Sequence, residues 1–368
     1  MNTRKFSVTL FSLALCVYCT AAPCQITRGW SGDVESLRLS NQFLAFEIIP
    51  LIQGAIANME HLPQGRKLNL ASSVAIERVD LLPDRYSIAP DILQLKLWGV
   101  PDTKIITEMQ VVETSDAPEG VSVTLSADFY AGQPGTRAIT TISLPDNASY
   151  FTIDFTVRNL SSGTREYSPW FNGVPQMSDN KTFEAVIVPV RREGKNIRGR
   201  SMFEVPVDGL FVEQDLGNRN MFFAPLRPWL ARFTPGKAGV LVYLMMGADL
   251  SNMMLYTHKN LNLHTMESIA TPRKIPADDS FTWRYGVFFF SRLRGLREII
   301  GHYGIDWRDG KLQLESCKLQ MTGKLVINGQ GFTIPASGPG ELLQFPCANA
   351  NLDISINEEN IQLPELIQ

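Results

Sequence analysis

The chain has 368 residues, 44% of them hydrophobic and 19% charged. That mixture excludes a disordered chain, a collagen-like repeat and a coiled coil. With 34 Lys+Arg against 37 Asp+Glu the net charge is -3, so no polyanion-binding surface is expected and nucleic acid is excluded as the main partner.

The first element in chain order is an export signal over residues 1–22. Arg4 and Lys5 precede an apolar run from Phe6 to Tyr18, and the small residues Thr20, Ala21 and Ala22 follow. The run suits a signal core and is short for a membrane span. Cleavage near Ala21 or Ala22 and export, either periplasmic or secreted, are expected, with an uncleaved anchor as the competing reading. Leu15, Tyr18 and Pro23 precede the three early cysteines, and none is the small residue that lipoprotein processing prefers. No later segment holds 18 uninterrupted apolar residues, so no membrane span is expected after signal removal. Cys24, Cys317 and Cys347 then remain. A Cys317–Cys347 disulfide and buried reduced thiols are both open readings.

Strands dominate the rest of the chain. Leu37 to Ile49 reads as strand, turn at Ser40-Asn41, and strand. Ile105 to Thr114, Val121 to Phe129, Arg137 to Leu144 and Tyr150 to Val157 come next, broken by turn residues such as Gly132-Gln-Pro-Gly135 and Pro145-Asp-Asn147. Val121-Ser-Val-Thr-Leu125 and Phe151-Thr-Ile-Asp-Phe-Thr-Val157 alternate with period two, as half-buried sheets do. Ala185 to Val190, Ala231 to Thr234, Gly239 to Met246, Ser280 to Phe290 and Lys311 to Leu319 continue the pattern. The best helix is Leu293 to Tyr303, from Leu293, Leu296, Ile299 and Ile300 on one face with Gly304 at its end. Many strands with few short helices make an all-β protein, a large antiparallel sandwich over residues 23–310 with a small C-terminal β extension over 311–368.

The stretch from Met254 to Phe290 carries the most chemistry. Tyr256, His258, His264 and Glu267 fall in one short window, ahead of a turn at Pro276-Ala-Asp-Asp279 and a long strand. Aromatic faces stack on the C–H face of a sugar ring, while carboxylates and imidazoles bind its hydroxyls. A glutamate in a concave site also serves as a general base, which makes Glu267 and His264 the catalytic candidates. Solvated surface residues are the competing reading. Arg227-Pro-Trp229 and Arg232 offer an indole and an arginine for a sugar or a uronate, against a packed Trp in a strand. Tyr86 and Trp98 are further stacking candidates. Arg191-Arg192, Lys195, Arg198 and Arg200 read as an exposed loop. Asn147, Asn159 and Asn180 fit the N-glycosylation pattern. The chain has no P-loop, GxGxxG, Gly-x-Ser-x-Gly or HExxH, no zinc-type Cys/His spacing and no calcium-ligand spacing, so neither cofactor nor metal is expected.

Three stretches resemble galactose mutarotase-like (aldose 1-epimerase-like) proteins. Tyr256-Thr257, Met266-Glu267, Pro276-Ala277 and the strand Ser280 to Phe290 are similar to that family's Tyr-Thr pair, Leu-Glu pair with the catalytic glutamate, Pro-Gly turn and aromatic strand. Val157-Arg-Asn-Leu-Ser-Ser162 followed by Ser168-Pro-Trp-Phe-Asn172 is similar to its strand, loop and His-Pro-Tyr-Phe-Asn. Leu39-Ser-Asn41, Phe46 to Pro50 and Gly54-Ala-Ile56 are similar to its opening strands. The resemblance covers roughly residues 35 to 295. It implies a β-supersandwich that binds a sugar or glycan in a groove on one sheet, with Glu267 at the position of the base and Trp170 and Asn172 as ligand contacts. Ser168 stands at the position of the family's histidine. Serine is a very weak acid, so the usual acid–base pair is incomplete. The expectation is an exported carbohydrate-binding protein without standard mutarotase activity. The alternatives are a carbohydrate-active enzyme, epimerase-like or lyase-like, with Glu267 as general base, and a non-catalytic cell-envelope protein.

Overall fold

A computed structural model describes residues 24–68, 78–82, 107–173, 175, 177, 184–198, 201–202, 204–213, 219–247, 250–258, 263–320, 322–347, 353–363 and 365–367. The expected signal segment, Tyr86, Trp98 and Asn180 lie outside these residues.

The described chain is a stack of β-sheets, antiparallel apart from one pair. Residues 25–67 form a five-stranded N-terminal sheet. A ten-stranded sheet runs in the order Glu365–Ile367, Gly209–Glu213, Ala185–Val190, Trp229–Phe233, Val240–Met246, Ser280–Phe290, Tyr150–Asn159, Thr136–Pro145, Gly120–Asp128 and Gln110–Ala117. In a nine-stranded sheet the neighbours that matter are Arg219–Phe223, Leu250–His258, Met266–Ala270, Arg165–Gly173 and Arg78–Leu82. Two four-stranded sheets complete the C-terminal part.

Alternation sorts the side chains among these layers. Phe151, Ile153, Phe155 and Val157 are buried while Thr152, Asp154 and Thr156 lie on the outer face of the ten-stranded sheet, as the period-two pattern requires. The inward residues of the N-terminal, ten-stranded and nine-stranded sheets share one core, including Phe46, Phe155, Phe171, Tyr243, Met253 and Trp283. A second core lies on the other side of the ten-stranded sheet, around Trp229, Phe288, Phe290, Leu293, Leu296 and Cys317. A third fills the C-terminal sheets, from Ile300 to Leu363. The strand Ser280–Phe290 feeds two of them, with Phe289 in the first and Phe288 and Phe290 in the second.

The helix expected over Leu293 to Tyr303 does not form. The segment holds turns and the strand Glu298–Ile300, paired with Tyr303–Arg308. Its apolar residues serve separate cores, Leu293 and Leu296 the second and Ile300 the third. Helical spacing was therefore coincidental, and Gly301 at φ +56° makes the turn back. Cys317 lies in the second core and Cys347 against the third, and both remain thiols rather than a disulfide. Asn159 is fully buried and donates to the carbonyls of Gly163 and Ile275 at 2.7 and 2.9 Å, so it pins a loop and is closed to glycosylation. Arg191, Arg192 and Lys195 are exposed.

His61 joins the N-terminal sheet to the ten-stranded one. Its ring lies 4.8 Å from that of Phe289, it is 2% exposed, and its Nδ1 has no hydrogen-bond partner. Burial chiefly, with the charges of Arg66 and Arg292, outweighs a hydrogen bond with Gln64 and brings its pKa from the usual 6.5 to about 4. The unfolded chain takes up this proton near pH 6.5 and the folded chain only near pH 4. Stability is therefore expected to fall as pH drops through that window, by roughly 3 kcal/mol, and to level off below it. Melting the parent and His61→Phe at pH 7 and pH 4.5 checks this. The parent should lose more stability than the variant across the interval, and parallel losses would remove His61 as the cause.

Candidate active site

The candidate face is the side of the nine-stranded sheet turned away from the first core. In Arg165–Gly173, Tyr167 and Phe171 point into that core, so Ser168, Trp170 and Asn172 take the opposite side. Trp170 pairs with Ile269 and Asn172 with Glu267. On the far side of Met266–Ala270, Glu267 pairs with Met254. Residues paired across strands share a face. Phe222, Met254 and Ile269 form a small apolar cluster there, with the rings of Trp170 and Tyr256 packed against it. Four sequence-derived candidates, Glu267, Trp170, Asn172 and Tyr256, thus converge on three adjacent strands.

Glu267 is 2% exposed and accepts a hydrogen bond from the Thr265 hydroxyl. Burial, with the negative charge of Glu267 added, raises the pKa of the Tyr256 phenol, so this group stays protonated and available as a donor at neutral pH. Trp170 Nε1 is buried without a hydrogen-bond partner. Ser168 is 5% exposed, and its hydroxyl donates to the Ala270 carbonyl at 2.7 Å. That proton is therefore committed to the neighbouring strand. Chemically, the face offers a buried carboxylate, a neutral phenol and an amide beside two aromatic rings.

His258 ends the strand Leu250–His258 and pairs with Leu263, while His264 pairs with Thr257. Both stand just beyond Tyr256 in the sheet, and their side chains lie outside the described residues.

Trp229 and Arg232 are not on this face. Trp229 is 1% exposed in the second core and donates its Nε1 proton to Glu298 Oε1 at 2.6 Å. Arg232 is 1% exposed and forms an ion pair with the buried Glu184. Both are internal residues of the ten-stranded sheet, which corrects their reading as ligand contacts. The Arg-Pro-Trp sequence looked like a groove rim because strand context is invisible in three residues.

Sequence reasoning missed Phe222, Met254, Ile269 and Thr265. The first three are ordinary apolar strand residues with no individual signal. Thr265 had one, since it lies two residues before Glu267 and period two puts both on one face.

No protein-family profile and no curated protein matches the chain. Solved structures do. A galactose mutarotase-like protein from Clostridium acetobutylicum superposes with a TM-score of 0.55 at 11% identity, over 73% of this chain and 98% of its own. The Slr1438 protein from Synechocystis gives 0.52 at 7% identity, over 78% of this chain and 100% of its own. A candidate aldose 1-epimerase from Klebsiella pneumoniae gives 0.51 at 8%, over 73% and 83%. The chain therefore has the galactose mutarotase-like fold, at great sequence distance. At such identity the likeness speaks for architecture alone.

Proposed function

We propose that this protein is exported and binds carbohydrate on the face around Glu267, without the usual mutarotation. The observation that carries the reading is the convergence of a buried, hydrogen-bonded carboxylate with Trp170, Tyr256 and Asn172 on one sheet face. A sugar presents apolar C–H faces and directional hydroxyls. Rings take the first, and a carboxylate with an amide and a phenol takes the second. The shared fold with galactose mutarotase-like proteins supports the same class of ligand.

The lack of turnover is argued from position 168. Mutarotation needs one group to take the proton of the anomeric hydroxyl and another to protonate the ring oxygen. Glu267 suits the first task. Ser168 is a poor proton donor by nature, and its proton is already directed at Ala270. The raised pKa of Tyr256 makes the phenol a weaker acid still.

Polarimetry of freshly dissolved α-D-galactose and α-D-glucose tests the catalytic half. Parent and Glu267→Gln are expected to leave the rate of anomeric equilibration at its spontaneous value. A parent rate well above that of the variant would make the protein an epimerase. The binding half predicts that Trp170→Ala weakens a bound glycan about tenfold, the scale of one lost ring contact. Unchanged affinity would remove Trp170 from the site.

A further inference from the structure

Between the short strand Leu263–His264 and the strand Met266–Ala270, Thr265 interrupts the ladder against Leu250–His258. Its backbone N–H still donates to the Tyr256 carbonyl at 2.8 Å. The return bond is different. Tyr256 N–H donates to Thr265 Oγ1, at 2.9 Å, where an unbroken antiparallel pair would offer a main-chain carbonyl. A threonine hydroxyl has one proton and two lone pairs. The Tyr256 N–H occupies a lone pair, which leaves the proton to point elsewhere, and its acceptor is Glu267 Oε1. The hydroxyl thus serves both groups, accepting from the backbone and donating to the carboxylate. Thr265 is 6% and Glu267 2% exposed, so the link is sheltered from solvent. The β-branch of threonine adds rigidity, because it restricts χ1 and with it the aim of the hydroxyl.

We propose that Thr265 is a positioning residue that orients Glu267 as a hydrogen-bond acceptor on the ring-lined face. The role of that acceptor in ligand binding rests on the sugar reading, but the coupling of Thr265 to Glu267 does not. A donor aimed at a carboxylate oxygen favours the charged form over the protonated one. It also fixes the plane of the carboxylate relative to Trp170 and Tyr256, as an oriented ligand group requires.

The test is infrared spectroscopy of protein carrying ¹³C-glutamate, with the Glu267→Gln spectrum subtracted to isolate the Glu267 band. Thr265→Val removes the hydroxyl at nearly constant shape, and Thr265→Ser restores it. The pH at which the carboxylate band gives way to the carboxylic acid band is expected to rise by about one unit in Thr265→Val, the size of one lost charge-assisted hydrogen bond. Thr265→Ser should titrate with the parent. A valine variant that titrates with the parent would overturn the proposal. Should the valine variant not fold, Thr265→Cys replaces it, since a thiol is a weaker donor of similar size. It should show a smaller rise in the same direction, and no rise would again contradict the role. A glycan array run on the same proteins separates the two readings. If the parent binds, the valine variant should bind about tenfold more weakly and the serine variant normally. Equal binding by valine variant and parent would deny Thr265 any part in ligand binding. If the parent binds no glycan, the sugar reading fails, while the infrared comparison still decides the coupling.

Discussion

Glu184→Ala is expected to destabilise the protein by about 3–5 kcal/mol, the range seen when one partner of a buried ion pair is removed. Arg232 and Glu184 are 1% and 4% exposed and bonded directly to each other. On the strand Trp229–Phe233, Trp229 and Ala231 face the second core and Leu230 the first, so alternation sends Arg232 into the layer between the two large sheets. There the guanidinium cannot regain water when its carboxylate is lost. Glu184 Oε1 also accepts the backbone N–H of Met177 at 3.0 Å, so the same substitution removes that acceptor as well. Glu184→Leu combined with Arg232→Met, which removes both charges, should recover most of the loss. Scanning calorimetry of the three proteins measures it. A single variant that melts with the parent but no longer binds glycan would return Arg232 to the binding site and contradict the structure.

Trp229→Ala is expected to cost about 3–5 kcal/mol while leaving glycan affinity unchanged. The ring fills the second core, and its removal opens a cavity under the C-terminal sheets. It also takes the Nε1 donor from Glu298, a 1% exposed carboxylate whose pKa burial already raises and which Arg227 holds at 2.9 Å. Trp229→Phe keeps most of the packing and loses the donor, while Glu298 Oε1 still accepts the Ile299 N–H, so its cost should be about 1.5–3 kcal/mol, that of one hydrogen bond to a charged group. Denaturation midpoints of the two variants check this ordering. Equal stability of Trp229→Ala and parent would place the indole outside the core.

Much of the fold was legible because strands announce themselves by alternation. The segments around residues 121–157, 185–190 and 280–290 lie where period two, β-branched residues and turn residues put them. The false helix at Leu293 to Tyr303 shows the limit of such reading. Spacing of four apolar residues does not tell which core each one fills, and here two cores divide them. The candidate site was legible in part for a related reason. Glu267, Trp170, Asn172 and Tyr256 stand in stretches with family-like neighbours, and cross-strand register then brings them together. Trp229 and Arg232 are buried in the ten-stranded sheet, away from that face. Their partners Glu298 and Glu184 are distant in sequence, and only pairing in space reveals that indole and guanidinium are already satisfied. Thr265 carried a signal in its spacing to Glu267, but its two hydrogen bonds are visible only in space.

A glycan microarray probed with parent and Glu267→Gln decides whether the Glu267 face recognises carbohydrate. The parent should retain at least one class of glycan, and the variant, melting at a similar temperature, should lose it. An array on which the parent binds nothing, or on which both proteins give the same pattern, would refute carbohydrate recognition by this face.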